Sequence, residues 1–241
     1  MNELVLLGGL AVIAFLYAMV GHGGASGYIT LLTLAGVATT VVRPSALLLN
    51  VVVSAMAFVQ FARAGHFRWK VFWPFIVLSI PMAWVGASAT LDPEVYRKLL
   101  GVCLLFAVAR LVIPTERLVG EPRPLPLAAA LLIGLLIGLV SGLIGIGGGI
   151  ILSPILLLMG WADARTTAAT SALFILVNSV VGLLAVAQQA PVWSTMDPLW
   201  LMAAVAGGLL GSWVGSRVLP PLRLRQALGV VLFLAAIKLW W

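Results

Sequence analysis

The chain contains few charged residues for its length. Only 9% of its 241 residues are Asp, Glu, Lys or Arg, whereas 63% are hydrophobic and the mean hydropathy is +1.18. A soluble domain averages about 25% charged and about 45–50% apolar residues. This composition excludes an ordinary soluble domain and indicates an integral membrane protein.

Cysteines and nucleotide-binding motifs are also scarce. The single cysteine, Cys103, excludes an internal disulfide, and no Cys/His cluster has metal-ligand spacing. No GxxxxGK[ST] motif is present, which argues against an ATP-driven machine. The longest polar connector, Thr115 to Pro124, is too short for a second, soluble domain. We therefore expect no metal and no cofactor.

The charge that is present is mostly basic. The net charge is +7 and the pI about 10.5, which in a soluble protein would suggest nucleic acid. Here the basic residues lie mostly at the ends of hydrophobic segments, which is the bias of cytoplasmic connectors in membrane proteins. We therefore predict no nucleic-acid partner and a lipid bilayer as the surroundings.

Two glycine clusters interrupt the hydrophobic stretches. Gly21-His22-Gly23-Gly24 and Gly145-Ile146-Gly147-Gly148-Gly149 are offset by 124 residues, about half of the chain. Glycine leaves peptide groups bare, and a membrane tolerates bare peptide groups only where protein buries them or water reaches them. Matched interruptions in both halves of a chain point to the substrate site of a transporter.

The hydrophobic blocks beside these clusters predict hairpins. A full span needs about 20 residues, so Ile150–Trp161 is too short to cross, and Ser26–Val42 carries several polar residues. We expect each to be the returning arm of a hairpin whose tip is the glycine cluster. The blocks are Leu4–Val20, Ser26–Val42, Ser45–Ala62, Val71–Leu91, Leu99–Ile113, Leu127–Ile144, Ile150–Trp161, Thr167–Ala187, Leu199–Val218 and Leu224–Trp240.

The charges of the connectors predict that the two halves are inverted. The connector after Ala62 is basic, whereas its counterpart after Ala187 holds one acid and no base. Likewise Arg217–Arg225 is basic, whereas its counterpart Asp92–Lys98 is balanced. Equivalent connectors thus fall on opposite sides. The predicted fold is an all-α polytopic membrane protein of two inverted repeats, each with a glycine-broken helical hairpin followed by three transmembrane helices.

A proline-rich linker separates the halves. Four prolines, Gly120 and several charges cluster within residues 114–126. We therefore expect a first membrane repeat over residues 1–113, a linker over 114–126 and a second membrane repeat over 127–241.

The glycine clusters predict an anion site. The first amides of the helix after each cluster have no partner inside that helix, and with the helix dipole they favour an anion. In inverted halves both helix starts would converge near the middle of the membrane. The alternative is that the glycines only permit close helix contact, and the matched positions of the clusters favour the site.

Polar residues within the apolar segments complete the predicted site. His22 can relay a proton or donate to the substrate, because a histidine changes charge near neutral pH. The amides and hydroxyls can donate to an oxyanion or, equally, bond a neighbouring helix. No residue is predicted to be catalytic. The predicted substrate-binding residues are Gly21, His22, Gly23, Gly24, Ser26, Asn50, Gly145, Gly147, Gly148, Gly149, Thr170, Ser171 and Asn178.

Several of these motifs resemble one family. The second glycine cluster, followed by Pro154, Leu156 and Ala168-Ala169-Thr170-Ser171, is similar to the second-half signature of the sulfite exporter TauE/SafE family. Gly65-His66 and the run from Gly211 to Arg217 are similar as well, so the resemblance covers nearly the whole chain. The first cluster departs from the pattern at His22 and Ala25. The resemblance implies a multi-pass transporter of the bacterial inner membrane for small sulfur-containing anions such as sulfite, sulfonates or thiosulfate.

The residues themselves imply a small anion held by backbone amides, without implying sulfur. We expect secondary transport, coupled to protons or to the gradient of the anion, and either import or export is compatible with the sequence. The alternatives are an intramembrane enzyme or an accessory subunit of a membrane complex. All seven acids lie at segment ends or in connectors, which counts against the enzyme.

Overall fold

The computed structural model describes residues 2–89, 122–187 and 197–220, with a few single positions after residue 221. In these ranges the regular structure is entirely helical, which confirms an all-α fold. The helices are α1 (Glu3–Met19), α2 (Ala25–Leu34), α3 (Thr39–Arg63), α4 (Trp69–Ser88), α5 (Leu127–Ile144), α6 (Gly149–Leu158), α7 (Ala164–Ala187) and α8 (Pro198–Trp213), which continues into a π-helical turn, Val214–Val218.

Five helices are long and apolar enough to cross a membrane, namely α3, α4, α5, α7 and α8 with its π-helical turn. Helices α1, α2 and α6 are shorter. The multi-pass membrane class is therefore confirmed. The predicted segment Leu99–Ile113, the linker up to residue 121 and most of the predicted segment Leu224–Trp240 lie outside the described residues.

Both predicted hairpins are present. In the first, Tyr17 Oη and Ser26 Oγ are 2.8 Å apart near the tip, and Gly9 contacts Leu31 toward the open end, so α1 and α2 are antiparallel. In the second, the Arg123 amide donates to the Gly160 carbonyl at 2.8 Å, which joins the residues before α5 to those after α6. Ser26–Val42 and Ile150–Trp161 thus begin with returning arms, as the sequence predicts.

Positive φ angles explain why glycines form the hairpin tips. Helix α2 follows Gly24 at φ 98°, α5 ends at Gly145 at φ 78°, and α6 follows Gly148 at φ 74°. A side chain in this left-handed region costs roughly 1–2 kcal/mol, so glycine is the residue that adopts it freely.

The predicted boundary of the block Ser26–Val42 is wrong. Helix α2 ends at Leu34 and Gly36 turns the chain at φ 78°, so α3 already begins at Thr39 rather than near Ser45. The residues on both sides of this turn are hydrophobic, so composition does not show where α2 ends and α3 begins.

Two helix pairs pack backbone against backbone through glycines. A Cβ on these glycines would overlap a backbone carbonyl of the partner helix, so only glycine permits the close approach. The contacts run in the same order along both helices, and each pair is therefore parallel. For α5 on α4 they are Gly134 with Phe75, Gly138 with Ser79 and Gly142 with Ala83; for α8 on α1 they are Gly207 with Ala11, Gly211 with Phe15 and Gly215 with Met19.

The packing has the same pattern when the halves are exchanged. Helix α4 packs on α5 as α8 packs on α1, and α4 packs on α7 as α8 packs on α3. Helices α3 and α7 cross in antiparallel fashion at the centre, where Asn50 meets Ser179 and Leu47 contacts Gly182.

The two hairpins open toward opposite ends of α3. The first leads into the start of α3 through residues 35–38, whereas Leu125, before α5, packs in the same cluster as Phe67, which follows the end of α3. Inverted repeats require this arrangement of the two hairpins, which therefore supports an inversion of the two halves across the membrane.

Candidate functional site

The two glycine loops meet at Asn50, in the middle of α3. Its Oδ1 accepts a hydrogen bond from the Ala25 amide at 3.1 Å, and its Nδ2 donates to Ser179 Oγ at 2.7 Å. Gly23 lies against Oδ1 and Gly147 against Nδ2. Asn50 is 1% exposed, so one buried carboxamide contacts both loops and both halves.

The two short helices that follow the loops begin in the interior. Residues 21–24 and 145–150 are all buried. The N-caps Gly24 and Gly148 have no side chain, so neither supplies a cap to the amides that follow it. Such amides carry the positive end of the helix dipole, and the first turn of each helix is therefore suited to an anion.

A side chain with a buried hydroxyl lies beside each N-cap glycine, and neither residue was predicted. Tyr28 Oη lies 2.9 Å from the position of a Cβ on Gly24, and Ser141 Cβ lies 3.1 Å from that of a Cβ on Gly148. Within the described part of the chain, neither hydroxyl has a hydrogen-bond partner. Helical spacing in the sequence could have identified both residues, because Tyr28 lies one turn after Gly24 and Ser141 lies one turn before Gly145.

His22 links the first glycine loop to the second half. Its Nδ1 is 3.1 Å from the Val20 carbonyl oxygen, and its Nε2 is 3.3 Å from Ser153 Oγ. Ser153 Oγ is in turn 2.7 Å from Ser171 Oγ. A carbonyl only accepts, so this pattern assigns the proton to Nδ1 and makes Nε2 the acceptor from Ser153. Of these partners, Ser153 was not predicted.

Three other predicted residues lie in different surroundings. Ser26 Oγ pairs with Tyr17 Oη inside the first hairpin. Thr170 Oγ1 is buried without a partner among the described residues. Asn178 bonds Ser79 of α4 at 2.9 Å and the Phe174 carbonyl at 3.0 Å, so its amide joins helices rather than contacting the loops.

The remaining predicted glycines provide close packing at the tips. A Cβ on Gly21 would overlap the backbone of Ala168, and Gly149 lies against Ile175. Gly145 lies beside Arg43, whose Nη2 donates to the Gly142 carbonyl at 3.1 Å, near the end of α5. The structure thus brings both glycine clusters, His22, Asn50 and Ser171 to the centre of the bundle.

Apart from Arg43 beside Gly145, the charged groups described next lie away from this centre. Asp163 caps α7, accepting from the Thr166 amide and hydroxyl, both at 2.8 Å, and from the Arg165 amide at 2.9 Å. Partial burial raises the pKa of Asp163, but these hydrogen bonds and the charge of Arg68 lower it by more, so it lies below its ordinary value. No group of three metal-ligating side chains occurs among the described residues.

These features define a class, that of multi-pass membrane proteins in which two glycine-tipped hairpins meet at a buried polar centre. The family model of the sulfite exporter TauE/SafE matches residues 5–239. A relative from Sinorhizobium fredii, named as the probable membrane transporter protein y4hK, is 38% identical over 234 residues, which cover 95% of each chain. No solved structure matches the chain. The chain therefore belongs to the TauE/SafE sulfite exporter family and is a membrane transporter.

Proposed function

We propose that the chain is a secondary transporter for a small oxyanion of the sulfite, sulfonate or thiosulfate class, bound where the glycine loops meet. The observation that carries this proposal is the convergence of two helix starts, one from each hairpin and each with a glycine N-cap, on a single buried Asn50. Backbone amides at helix starts are a common anion-binding arrangement. The sulfur comes from the family, whose name describes sulfite exporters.

The chemistry of the centre supports an anion over a cation. The buried polar residues of the described ranges are hydroxyl and amide side chains and His22, without a carboxylate. Backbone amides, hydroxyls and side-chain amides can donate to an oxyanion, whereas a cation within a membrane is usually paired with a carboxylate. Among the described residues, His22 is the one titratable group of the loops with hydrogen bonds to both halves, and it is the candidate for proton coupling.

The hairpins support an inverted-repeat mechanism. The first leads directly into the start of α3, whereas Leu125 of the second packs in the same cluster as Phe67, which follows the end of α3. Rocking one repeat against the other would then expose the loops alternately on the two sides of the membrane. An inner-membrane location agrees with the bacterial relative.

We infer transport rather than catalysis, although one contact resembles a catalytic pair. Ser153 beside His22 Nε2 is an arrangement of a nucleophile and a base. Ser153 is however completely buried, and its hydroxyl is also bonded to Ser171. An intramembrane enzyme would lose its activity in Ser153→Ala, whereas a transporter would still move the anion.

Flux by the purified protein in liposomes tests this proposal. Radiolabelled sulfite, thiosulfate and taurine would be offered separately, with an imposed anion gradient and with or without a pH gradient. We expect saturable flux of at least one anion, which protein-free liposomes lack. Absence of flux for all three in folded protein would contradict the proposal and favour an accessory subunit.

A further inference from the structure

The two glycine loops differ in the side chain that lies against them. Gly23 and Ala25 flank the N-cap Gly24, and Asn50 of α3 contacts both of them. In the other half Gly147 and Gly149 flank the N-cap Gly148, and the side chain against both glycines is Ile175 of α7. Residues 50 and 175 thus hold equivalent places, one an amide and the other a hydrocarbon.

This difference changes what each helix start can bind. Asn50 Oδ1 accepts from the Ala25 amide at 3.1 Å and occupies the place that an anion oxygen would take at the start of α2. Ile175 has no acceptor, and the start of α6 has no side-chain cap among the described residues. Ser141, which is 2% exposed, has its Cβ beside Gly148 and a hydroxyl without a described partner.

We propose that the anion binds at the start of α6, in the second glycine loop, and that Asn50 acts as a built-in cap that excludes it from the first loop. The chain then has one anion site rather than two symmetric ones. This inference rests on the proposed anion transport. In it Asn50 is a positioning residue, since its Nδ2 is held by Ser179 and lies beside Gly147 of the binding loop.

Ile175→Asn tests the assignment, because it would install at α6 the cap that Asn50 provides at α2. An anion would have to displace this cap, so we expect the half-saturating anion concentration to rise about fivefold, which corresponds to about 1 kcal/mol. The maximal flux should remain close to that of the unmodified protein. Thiosulfate flux in proteoliposomes measures both quantities.

Leu183→Asn is the matched control. It places the same side chain on α7 at another buried position, in the cluster with Leu47 and Val186 away from the loops. We expect it to lower thermal stability as Ile175→Asn does while the half-saturating concentration stays unchanged. Equal rises in both variants would show a general effect of a buried amide and would overturn the inference.

Tyr28→Phe provides the opposing test, because the Tyr28 hydroxyl lies at the first loop. A rise in the half-saturating concentration with Tyr28→Phe, and none with Ile175→Asn, would place the anion at the first loop and refute the assignment. Failure of the unmodified protein to move thiosulfate, sulfite or taurine would instead refute the transport proposal itself. The two failures are therefore distinguishable.

Discussion

Substitution of Gly148 by alanine is the sharpest test of the amide site, because it adds one methyl group at the N-cap of α6. Gly148 has a φ of 74°. A Cβ there would lie 2.7 Å from Ile137 Cγ2, 3.0 Å from Phe174 Cε1 and 3.1 Å from Ser141 Cβ. The methyl group would therefore strain the backbone and crowd the loop whose amides are proposed to bind the anion.

The loss of folding stability expected for Gly148→Ala has two parts. The left-handed backbone costs a residue with a Cβ roughly 1–2 kcal/mol. Crowding in a filled core costs typically about 1–3 kcal/mol. The sum does not exceed the roughly 5–15 kcal/mol by which folded proteins are stable, so we expect Gly148→Ala to insert and fold.

Gly36 provides the matched control for the backbone part. Its φ is 78°, and a Cβ on it would meet nothing within 4 Å. Gly36→Ala should therefore lose stability from strain alone, with flux retained. For Gly148→Ala we expect flux at a low anion concentration to fall at least about tenfold, equivalent to about 1.4 kcal/mol of lost binding.

The assay combines anion flux in proteoliposomes with thermal unfolding of the same preparations in detergent. Unfolding temperatures show how much stability each variant has lost, and flux is compared at a temperature where both remain folded. The reasoning is refuted if folded Gly148→Ala transports as well as Gly36→Ala. In that case the second glycine loop would serve helix packing only.

Three further predictions concern proton coupling through His22, the Asp163 cap of α7 and the topology of the two halves. His22→Gln should lower flux and weaken its response to an imposed pH gradient, measured at equal anion gradients; an unchanged response would make His22 structural. Asp163→Ala removes the cap of α7 and should lower the free energy of unfolding by about 1 kcal/mol at neutral pH, with flux retained. Because the folded pKa of Asp163 is lowered, its contribution is complete above the unfolded pKa of about 3.9 and is lost as pH falls through the folded pKa, so the unfolding curves of variant and unmodified protein should converge in acid. In a background without Cys103, Ala38→Cys and Met159→Cys should react with an impermeant thiol reagent from opposite sides of the membrane, and reaction from one side would contradict the inversion.

The hairpins could be predicted because two local signals coincide. The glycine clusters mark positions that need a positive φ, as Gly24 and Gly148 have, and a short apolar block such as Ile150–Trp161 cannot span a bilayer. Both signals are properties of a few consecutive residues. The turn at Gly36 was missed because a single glycine between apolar residues is a weaker signal than a cluster.

The partners of the polar residues could not be predicted in the same way. They depend on the register of α3 against α7 and of α4 against α7, which brings Asn50 to Ser179 and Asn178 to Ser79. Helices that are apolar on every side carry no periodic signal for the face that meets a neighbour. The sequence grouped Asn178 with Thr170 and Ser171 in the predicted site, but the register turns its amide toward α4.

Among the described residues, the fully buried polar side chains around the loops carry no fixed charge, and the nearest charged group is the half-buried Arg43 beside Gly145. A lysine or arginine fully buried at the helix starts would attract an anion strongly in a medium of low dielectric constant, and it would also have to be stabilised when the anion leaves. Neutral amides and hydroxyls hold an anion without a fixed charge. When the anion leaves, their hydrogen bonds can be made instead to a side chain such as Asn50. The bond from Ala25 to Asn50 shows that a protein oxygen can fill one helix start. If the anion fills the other, the difference between Asn50 and Ile175 gives two nearly symmetric halves unequal tasks, one binding the anion and the other holding the loops together.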